Sequence, residues 1–334
     1  MSLNRSLKIV SVNPSRRDLI KQLVAAGALG ASGLLRSATL QGENLDKTTN
    51  ALASNTTWKK DEDYESLRRA MMWSINTPGR YPDVIVQASS SQEIQQALQF
   101  AKDNDLQVVC RSVGHNEAGA VLRNGGMLLD LSPMSGISVD TQQMTAQIQP
   151  SLNSYYCYQK LAEYGLTFPL ADCHGVAMAG YLMGGGLSPS GFVWGNGPAC
   201  YSVISADVIL ANGEKVVASK DENTDLYWAI RGVGPGFFGV VTDFKLQLYK
   251  HPETIMKSTF MFPLDALPNV ISILDNMLPA KDRRVSTRLS LMKEPGSANT
   301  IMARLKIIAF ATDHGNSESE AKNLLRPYAQ SKLS

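Results

Sequence analysis

Histidine and cysteine are scarce in this sequence, and one of each lies in or beside a glycine-rich segment. His115 is one of four histidines and stands in the loop RSVGHNEAG, after the apolar run QVVC. Cys173 is one of four cysteines and is followed by His174 in DCHGVAMAG. Imidazole and thiolate can act in catalysis or bind a metal. The spacing of these three residues fits no standard zinc pattern, so a metal hydrolase is the weaker interpretation.

Three segments are dense in glycine, at residues 111–126, 175–191 and 231–241. Glycine lets the backbone approach a ligand and leaves N–H groups free to point at it, which is how diphosphates are held. None of the segments is a Walker A loop, since no Gly-Lys-Ser/Thr follows. No convincing G-x-G-x-x-G stands between a strand and a helix, which disfavours a Rossmann domain and with it a soluble NAD dehydrogenase.

Regular elements are predicted on both sides of these loops. SSSQEIQQALQFAKDNDL is predicted to be a helix, because Ser90 and Glu93 form a capping box before apolar residues at helical spacing. With QVVC as a buried strand, residues 84–110 form a strand–helix–strand unit. Strands are predicted at MLLDL, GISVD, MTAQIQP and FFGVVTDFKLQLYK, and helices at SYYCYQKLAEYGLTFP and ENTDLYWAIRG. Asn212-Gly213 predicts a hairpin within VISADVILANGEKVVAS.

The segment after His251-Pro252 alternates strand and helix and predicts a second α+β unit. Its successive runs are STFMFPL, LPNVISILDNML, VSTRLSLMK, TIMARLKIIAFAT and SESEAKNLLRPYAQ. Residues 41–60 are polar and rich in Asn and Thr, so we interpret them as a linker. Four cysteines are too few for a disulfide scaffold, and Cys110, Cys157 and Cys200 are expected to be buried thiols.

The net charge of +2 comes from the N-terminus. Residues 1–40 hold six basic residues and one acidic residue, and the rest of the chain carries 26 basic and 29 acidic residues. Nothing in that remainder argues for a nucleic-acid partner. In residues 1–40, SRRDLIK precedes a weakly apolar run and a small polar one, which is typical of a twin-arginine signal peptide. The run is too short to span a bilayer, so we expect an exported, periplasmic or secreted bacterial protein.

Five segments in register resemble the FAD-linked oxidases of the vanillyl-alcohol-oxidase type. They are RSVGHNEAG, GGMLLDLSPMSGISVD, CHGVAMAGYLMGGG, GPACYSVISADVILANGEKVVAS and ENTDLYWAIRGVGPGFFGVVTDF. The likeness is greatest to the berberine-bridge-enzyme-like branch. It implies an α+β fold in which a two-subdomain PCMH-type FAD-binding domain, residues 61–250, precedes a partial α+β substrate domain, residues 251–334. The part of the substrate domain that returns to the FAD domain in relatives is expected to be missing.

The resemblance also implies which residues bind the cofactor. In the family the loop R-S-G-G-H wraps the FAD diphosphate, and its histidine is bonded to the flavin 8α-methyl group; His115 matches that histidine. Val113 stands where the family has glycine, which would strain a backbone of positive φ. The implied FAD-binding residues are Arg111, Ser112, Val113, Gly114, His115, Asn116, Cys173, Val176, Gly180, Gly184, Gly185, Val240 and Val241.

Cys173 is the second candidate for attachment to the flavin. The branch often has C-P-T-V-G-V-G-G at this place, and its cysteine forms a thioether to flavin C6. This chain keeps the cysteine but has His174-Gly175 in place of Pro-Thr, so a thioether and a packed free thiol both remain open. The isoalloxazine is expected beside Gly180 to Gly186 and the adenine beside Val240 and Val241.

The implied reaction is hydride transfer from an alcohol, sugar or secondary metabolite to covalently bound FAD, with reoxidation by dioxygen to hydrogen peroxide. The expected partners are thus a small-molecule substrate and dioxygen. A base must remove the substrate proton, and no residue of the sequence is assigned to that role. Tyr155, Tyr156 and His174 are weak candidates, since aromatic residues on a helix usually pack in the core. A degenerate relative that binds flavin without catalysis is the alternative.

Overall fold

The computed structural model describes residues 52, 55–194, 197–278, 281–294, 296–297, 299–312 and 315–331. The predicted signal peptide, residues 1–40, lies outside these ranges, so it stays a prediction. The described chain is a mixture of helices and sheets, and the predicted α+β class is confirmed. Within the described ranges, no helix is both long enough and apolar enough to cross a membrane.

The first sheet carries the loop of His115 at one of its ends. Its elements are β1 (Thr56–Trp58), α1 (Tyr64–Ala70), β2 (Val84–Gln87), α2 (Ser91–Asp103), β3 (Val108–Arg111) and β4 (Met127–Asp130). The strand order is β1-β2-β4-β3; β2, β4 and β3 are parallel, and β1 pairs antiparallel with β2. The loops that follow parallel strands all begin at the same end of the sheet, where the carboxyl ends of the strands lie. The loop after β3 therefore begins beside the end of β4.

Helix α2 has the predicted capping box, except that Glu93 accepts the N–H of Ser89 instead of the N–H of the capping residue Ser90. The Ser90 hydroxyl accepts a hydrogen bond from the Glu93 N–H at 3.2 Å, and the Glu93 carboxylate accepts the N–H of Ser89. The capped helix buries Ile94, Ala97, Leu98, Phe100 and Ala101. The strand–helix–strand unit predicted for residues 84–110 is confirmed.

One strand of the first sheet was not predicted from the sequence. Thr56–Trp58 is a strand inside the range 41–60 and pairs with residues Val84 to Val86. The Trp58 indole lies edge-on to Phe100, with ring centroids 6.1 Å apart. Thr and Trp favour strands, and the packing on α2 outweighs the polar composition of the neighbouring residues.

The second sheet has five antiparallel strands in the order β5-β6-β10-β8-β9. These are β5 (Ile137–Asp140), β6 (Thr145–Ile148), β8 (Val203–Ile209), β9 (Lys215–Ser219) and β10 (Val240–Gln247). Its hydrophobic core includes residues of three helices, α3 (Ser154–Ala162), α4 (Met178–Met183) and α5 (Thr224–Ile230). Two short strands, β7 (Leu166–Thr167) and β11 (Tyr249–Lys250), pair with each other. The hairpin predicted at Asn212-Gly213 joins β8 to β9.

The third sheet has the order β12-β14-β13, all antiparallel. Its elements are β12 (Thr254–Pro263), α6 (Leu267–Met277), β13 (Val285–Lys293), β14 (Ile301–Ala311) and α7 (Ser317–Ala329). One face packs on the helices, where Leu305 and Ile307 meet Val270, Leu325 and Tyr328. The predicted alternation of strand and helix after residue 251 is confirmed.

Candidate cofactor site

A cavity of about 770 Å³ brings the three glycine-rich segments together. This volume lies in the range of small-molecule and cofactor sites. Ten of the thirteen predicted FAD-binding residues line it: Arg111, Ser112, Val113, Gly114, His115, Asn116, Val176, Gly180, Val240 and Val241. Residues 234–239 complete the wall. Segments far apart in sequence thus supply backbone to one cleft.

The turn at Gly114 has a shape that only glycine adopts without strain. Its φ is +66°, and a Cβ built there would lie 1.9 Å from the Met71 carbonyl oxygen. The Gly114 carbonyl in turn accepts the N–H of Trp73 at 3.1 Å. The turn is therefore clamped against the segment that follows α1, directly before His115.

Arg111 anchors the start of the loop. Its guanidinium pairs with Asp130 at 2.6 Å, and its Nε donates to the Met71 carbonyl at 3.0 Å. Both side chains are buried, with Asp130 fully enclosed. Asp130 also accepts from the Ser132 hydroxyl and the Gln87 amide, so its lone pairs are satisfied. The guanidinium of Arg111 is thus paired within the protein at the start of the loop, and the residue lines the cavity.

Val113 stands without strain where the resemblance predicts glycine. Among the described residues other than glycine, positive φ occurs at Asp105, Met144 and Asn223, and Val113 is not one of them. A β-branched residue is tolerated because the left-handed conformation falls on Gly114 instead. The departure from the family pattern leaves the turn intact.

His115 and Cys173 meet at the cavity. The imidazole Nε2 lies 3.2 Å from the Cys173 Sγ. The ring also stacks on the Trp73 indole, with centroids 4.4 Å apart and planes inclined by 19°. A Cβ at Gly175 would lie 4.0 Å from the His115 ring, so the bare backbone there leaves room beside it. The two predicted attachment residues are therefore in contact with each other. His115 lines the cavity, and Cys173 lies just outside its wall.

The weak candidates for a catalytic base lie outside the cavity wall. Tyr155 and His174 stack with centroids 4.9 Å apart, and the Tyr155 hydroxyl accepts from the Gln159 amide. Tyr155 and Tyr156 are about half exposed on α3, so the expectation that such aromatics pack in the core is wrong here. None of the three lines the cavity, and the structure assigns none of them a proton-transfer role.

The segment 175–191 divides into two parts. Val176 and Gly180 line the cavity, whereas Gly184 and Gly185 lie at the end of α4, away from its wall. Gly185 has φ +99° and its carbonyl accepts the N–H of Cys200, which turns the chain out of the helix. These two glycines thus have a structural explanation in this chain, and their predicted contact with FAD stays a prediction.

Strand β3 is less buried than predicted. Val108, Val109 and Cys110 are only partly buried because they line the cavity. The Cys110 thiol is nonetheless enclosed, and burial raises its pKa to about 12. An apolar strand that turns side chains to a cleft provides a surface for a flat or aliphatic ligand.

Two cations at the cavity were not predicted. Lys102, at the end of α2, and Arg123, in the loop after His115, both line it and are exposed. Cations of this kind suit a diphosphate. Arg123 could have been noticed, because it lies inside the glycine-dense segment 111–126. Lys102 could not, since it reaches the site only through the packing of α2.

Tyr181 is the tyrosine of the cavity wall, and its hydroxyl is engaged. It donates to the Pro169 carbonyl at 2.9 Å, and burial raises the pKa of the phenol well above its usual value. The group is therefore a neutral donor at neutral pH.

In the part of the chain that the structure describes, no three His, Cys, Asp or Glu side chains form a group that could hold a metal ion.

Residues 82–219 match the FAD binding domain family. The chain is 33% identical over 226 residues to the FAD-linked oxidoreductase penO of Penicillium crustosum, an alignment that covers 67% of this chain and 49% of that protein. Residues 82–219 therefore match an FAD-binding domain, and two thirds of the chain is similar to an FAD-linked oxidoreductase. It spans about half the length of the curated relatives that it matches.

Solved structures share the fold. The crystal structure of 6-hydroxy-D-nicotine oxidase from Arthrobacter nicotinovorans superimposes with a TM-score of 0.72 at 23% identity, covering 83% of this chain and 60% of that one. The BBE-like 1 protein of Physcomitrella patens gives a TM-score of 0.69 at 21% identity, covering 82% and 56%. The fold that the motifs predicted is thus shared by these solved structures.

Proposed function

We propose that the cavity holds FAD covalently, through the His115 imidazole on the flavin 8α-methyl group and the Cys173 sulfur on flavin C6. The observation that carries this proposal is the 3.2 Å distance between His115 Nε2 and Cys173 Sγ. The 8α-methyl group and C6 lie on the same edge of the flavin's benzenoid ring, so the two nucleophiles must be neighbours. Residues 58 positions apart meet that requirement.

The residues around the cavity suit the rest of FAD. Backbone of the turn 112–116 and of residues 234–239 borders the cleft, and N–H groups at such turns hold diphosphate oxygens. Lys102 and Arg123 add positive charge on the cavity wall. The apolar side chains of β3 and of Val240 and Val241 offer contact surface for the ring systems. A diphosphate between two flat groups matches this mixture of polar turns and apolar strands.

The proposed reaction is oxidation of a small alcohol, sugar or secondary metabolite. When bound, FAD supplies the hydride acceptor, and dioxygen is the proposed final acceptor, giving hydrogen peroxide. The chain's own contribution is positional: Trp73 stacks on His115 and fixes the plane of the imidazole. The clamped turn at Gly114 fixes where that ring stands relative to the diphosphate-binding backbone. We also propose, from the N-terminal sequence alone, that the protein is exported. A covalent bond would then keep the cofactor from diffusing away outside the cytoplasm.

A second candidate function is flavin binding without turnover, and one observation favours it. None of the residues that line the cavity is an aspartate or a glutamate, and Tyr181 is held as a neutral donor. A general base for substrate deprotonation would have to come from outside the cavity wall.

Anaerobic bleaching of the bound flavin distinguishes the two candidates. The purified chain is expected to be yellow, and a panel of alcohols and sugars is added without oxygen while the flavin absorbance is followed. Bleaching by any compound, with peroxide released on admitting air, supports the oxidase. A yellow protein that no compound bleaches supports the non-catalytic flavoprotein, and a colourless protein from flavin-replete cells contradicts both.

A further inference from the structure

The third sheet has one strongly basic face. Helices α6 and α7 cover the face of Leu305 and Ile307. The opposite face carries Lys257, Arg288, Arg304 and Lys306. Strands β12, β13 and β14 contain no aspartate or glutamate at all. We call this the basic face.

The register of the strands concentrates these charges. Arg288 and Lys306 are direct partners across β13 and β14. Residues opposite each other in an antiparallel pair lie about 5 Å apart, and like charges in such positions repel. Arg304 follows two residues from Lys306 on the same face, about 7 Å along the strand. Lys257 lies diagonal to Lys306, because its direct partner is Ile308.

Most of this charge has no counterion. Arg288 pairs with Asp172, whereas no ion pair among the described residues involves Lys257, Arg304 or Lys306. The Arg304 Nε is buried and has no hydrogen-bond partner. A buried donor without an acceptor and a cation opposite a cation both oppose folding. Features that break local rules in this way are expected where a ligand supplies the missing partner.

One residue of the basic face contacts the loop beside the candidate flavin site. Arg288 Nη1 lies 2.6 Å from the Asp172 carboxylate, and Asp172 directly precedes Cys173. Cys173 in turn contacts His115 at the cavity. A short chain of contacts therefore joins the cavity to the sheet. This position favours a small ligand near the flavin over a macromolecule on an outer surface.

We propose that the basic face recognises the substrate and that the substrate carries a carboxylate group. This inference rests on the proposed flavin site and adds the chemical class of the molecule oxidised there. Arg304 and Lys306 bind the carboxylate, while Arg288 stays paired with Asp172 and holds the sheet against the loop of Cys173. An uncharged or cationic substrate would leave the cations of this face unpaired.

Calorimetric titration with a matched pair of probes tests the proposal. The probes are 4-hydroxybenzoate and 4-hydroxybenzamide, which differ in charge and little in shape. The purified flavoprotein is expected to bind the acid about tenfold or more tightly than the amide, because charge-assisted hydrogen bonds are the strong ones. Binding of the acid is also expected to weaken as salt is raised, since salt screens charges near the surface.

Variants identify the residues that bind the acid. Lys306→Gln and Arg304→Gln are each expected to weaken its binding about five- to tenfold, and Lys306→Arg to retain it. Lys322→Gln on α7 is the matched control, because Lys322 is exposed and paired with Glu318 away from the basic face. Melting temperatures of all variants establish that they fold.

The outcomes separate this inference from the flavin proposal. Acid and amide that bind alike, an acid that does not bind, or folded variants that bind the acid as the wild type does would each overturn the basic face as a carboxylate site. Flavin absorbance is read from the same preparation. A yellow protein indifferent to the acid contradicts this inference alone, and a colourless protein that binds it contradicts only the flavin proposal.

Discussion

The imidazole of His115 and the sulfur of Cys173 touch across two loops of different origin. His115 follows the parallel strand β3 of the first sheet, and Cys173 precedes helix α4 beside the second sheet. Each loop is fixed by contacts of its own. The pair is therefore prearranged before any cofactor contact is considered, and its reactivity can be tested residue by residue.

Thiol titration tests the state of Cys173. Cys173 is exposed, whereas Cys157 and Cys200 are buried and burial raises the Cys110 thiol pKa to about 12. In the flavoprotein we expect no thiol to react rapidly with Ellman's reagent, and three of the four cysteines to react after unfolding, because Cys173 is bonded to flavin. One rapid thiol in native flavoprotein, and four after unfolding, would mean that Cys173 is free.

Gly114→Ala is expected to distort the turn before His115 and to lower the flavin content. The left-handed backbone alone costs an alanine about 1–2 kcal/mol, and the clash with the Met71 carbonyl adds to this. Gly165→Ala is the control, because Gly165 has φ +63° with nothing within 4 Å of a built Cβ. Urea unfolding and flavin absorbance are measured for both. Equal losses in the two variants would refute the clamp at Gly114.

Asp130→Asn is expected to be among the most damaging polar substitutions. It leaves the buried Arg111 guanidinium without its counterion, which costs about 3–5 kcal/mol of unfolding free energy. Lys322→Gln removes an exposed ion pair and is expected to lower the unfolding free energy far less, because exposed pairs contribute little to stability. Urea denaturation compares the two. A mild effect of Asp130→Asn would mean that Arg111 does not need that carboxylate to anchor the loop.

The stability that Glu65 contributes on α1 is expected to be lost at low pH. Hydrogen bonds from Arg68 and Arg69 lower the pKa of its carboxyl from 4.5 to about 2. A carboxyl with a lowered folded-state pKa stabilises above its unfolded pKa and loses that contribution as pH falls. The melting-temperature gap between wild type and Glu65→Gln is therefore expected to shrink between about pH 4.5 and 2. A gap that is constant over this window would contradict the assignment.

Local signals account for the elements that the sequence predicted well. Ser90 and Glu93 mark the start of α2 because capping is a contact within one turn, and Asn212-Gly213 marks a hairpin because only a few residues adopt that turn. The strand Thr56–Trp58 was missed, since its stability comes from pairing with β2 and from packing on Phe100.

Those residues of the site that lie in recognisable motifs could be predicted from the sequence. His115, Cys173 and the glycine segments follow from the resemblance, which carries their spatial relation implicitly. The stacking of Trp73 on His115, the role of Arg111 as a buried anchor and the contact of Arg288 with Asp172 depend on tertiary packing between distant segments. No periodicity or spacing in the sequence encodes such contacts.

Intact mass spectrometry of the denatured protein tests the central claim most directly. The wild type is expected to keep a mass excess of one FAD after unfolding, and Cys173→Ala to keep it through His115 alone. The double variant His115→Ala, Cys173→Ala is expected to lose it. A wild-type chain that unfolds to the bare polypeptide mass, although purified yellow, would contradict covalent attachment.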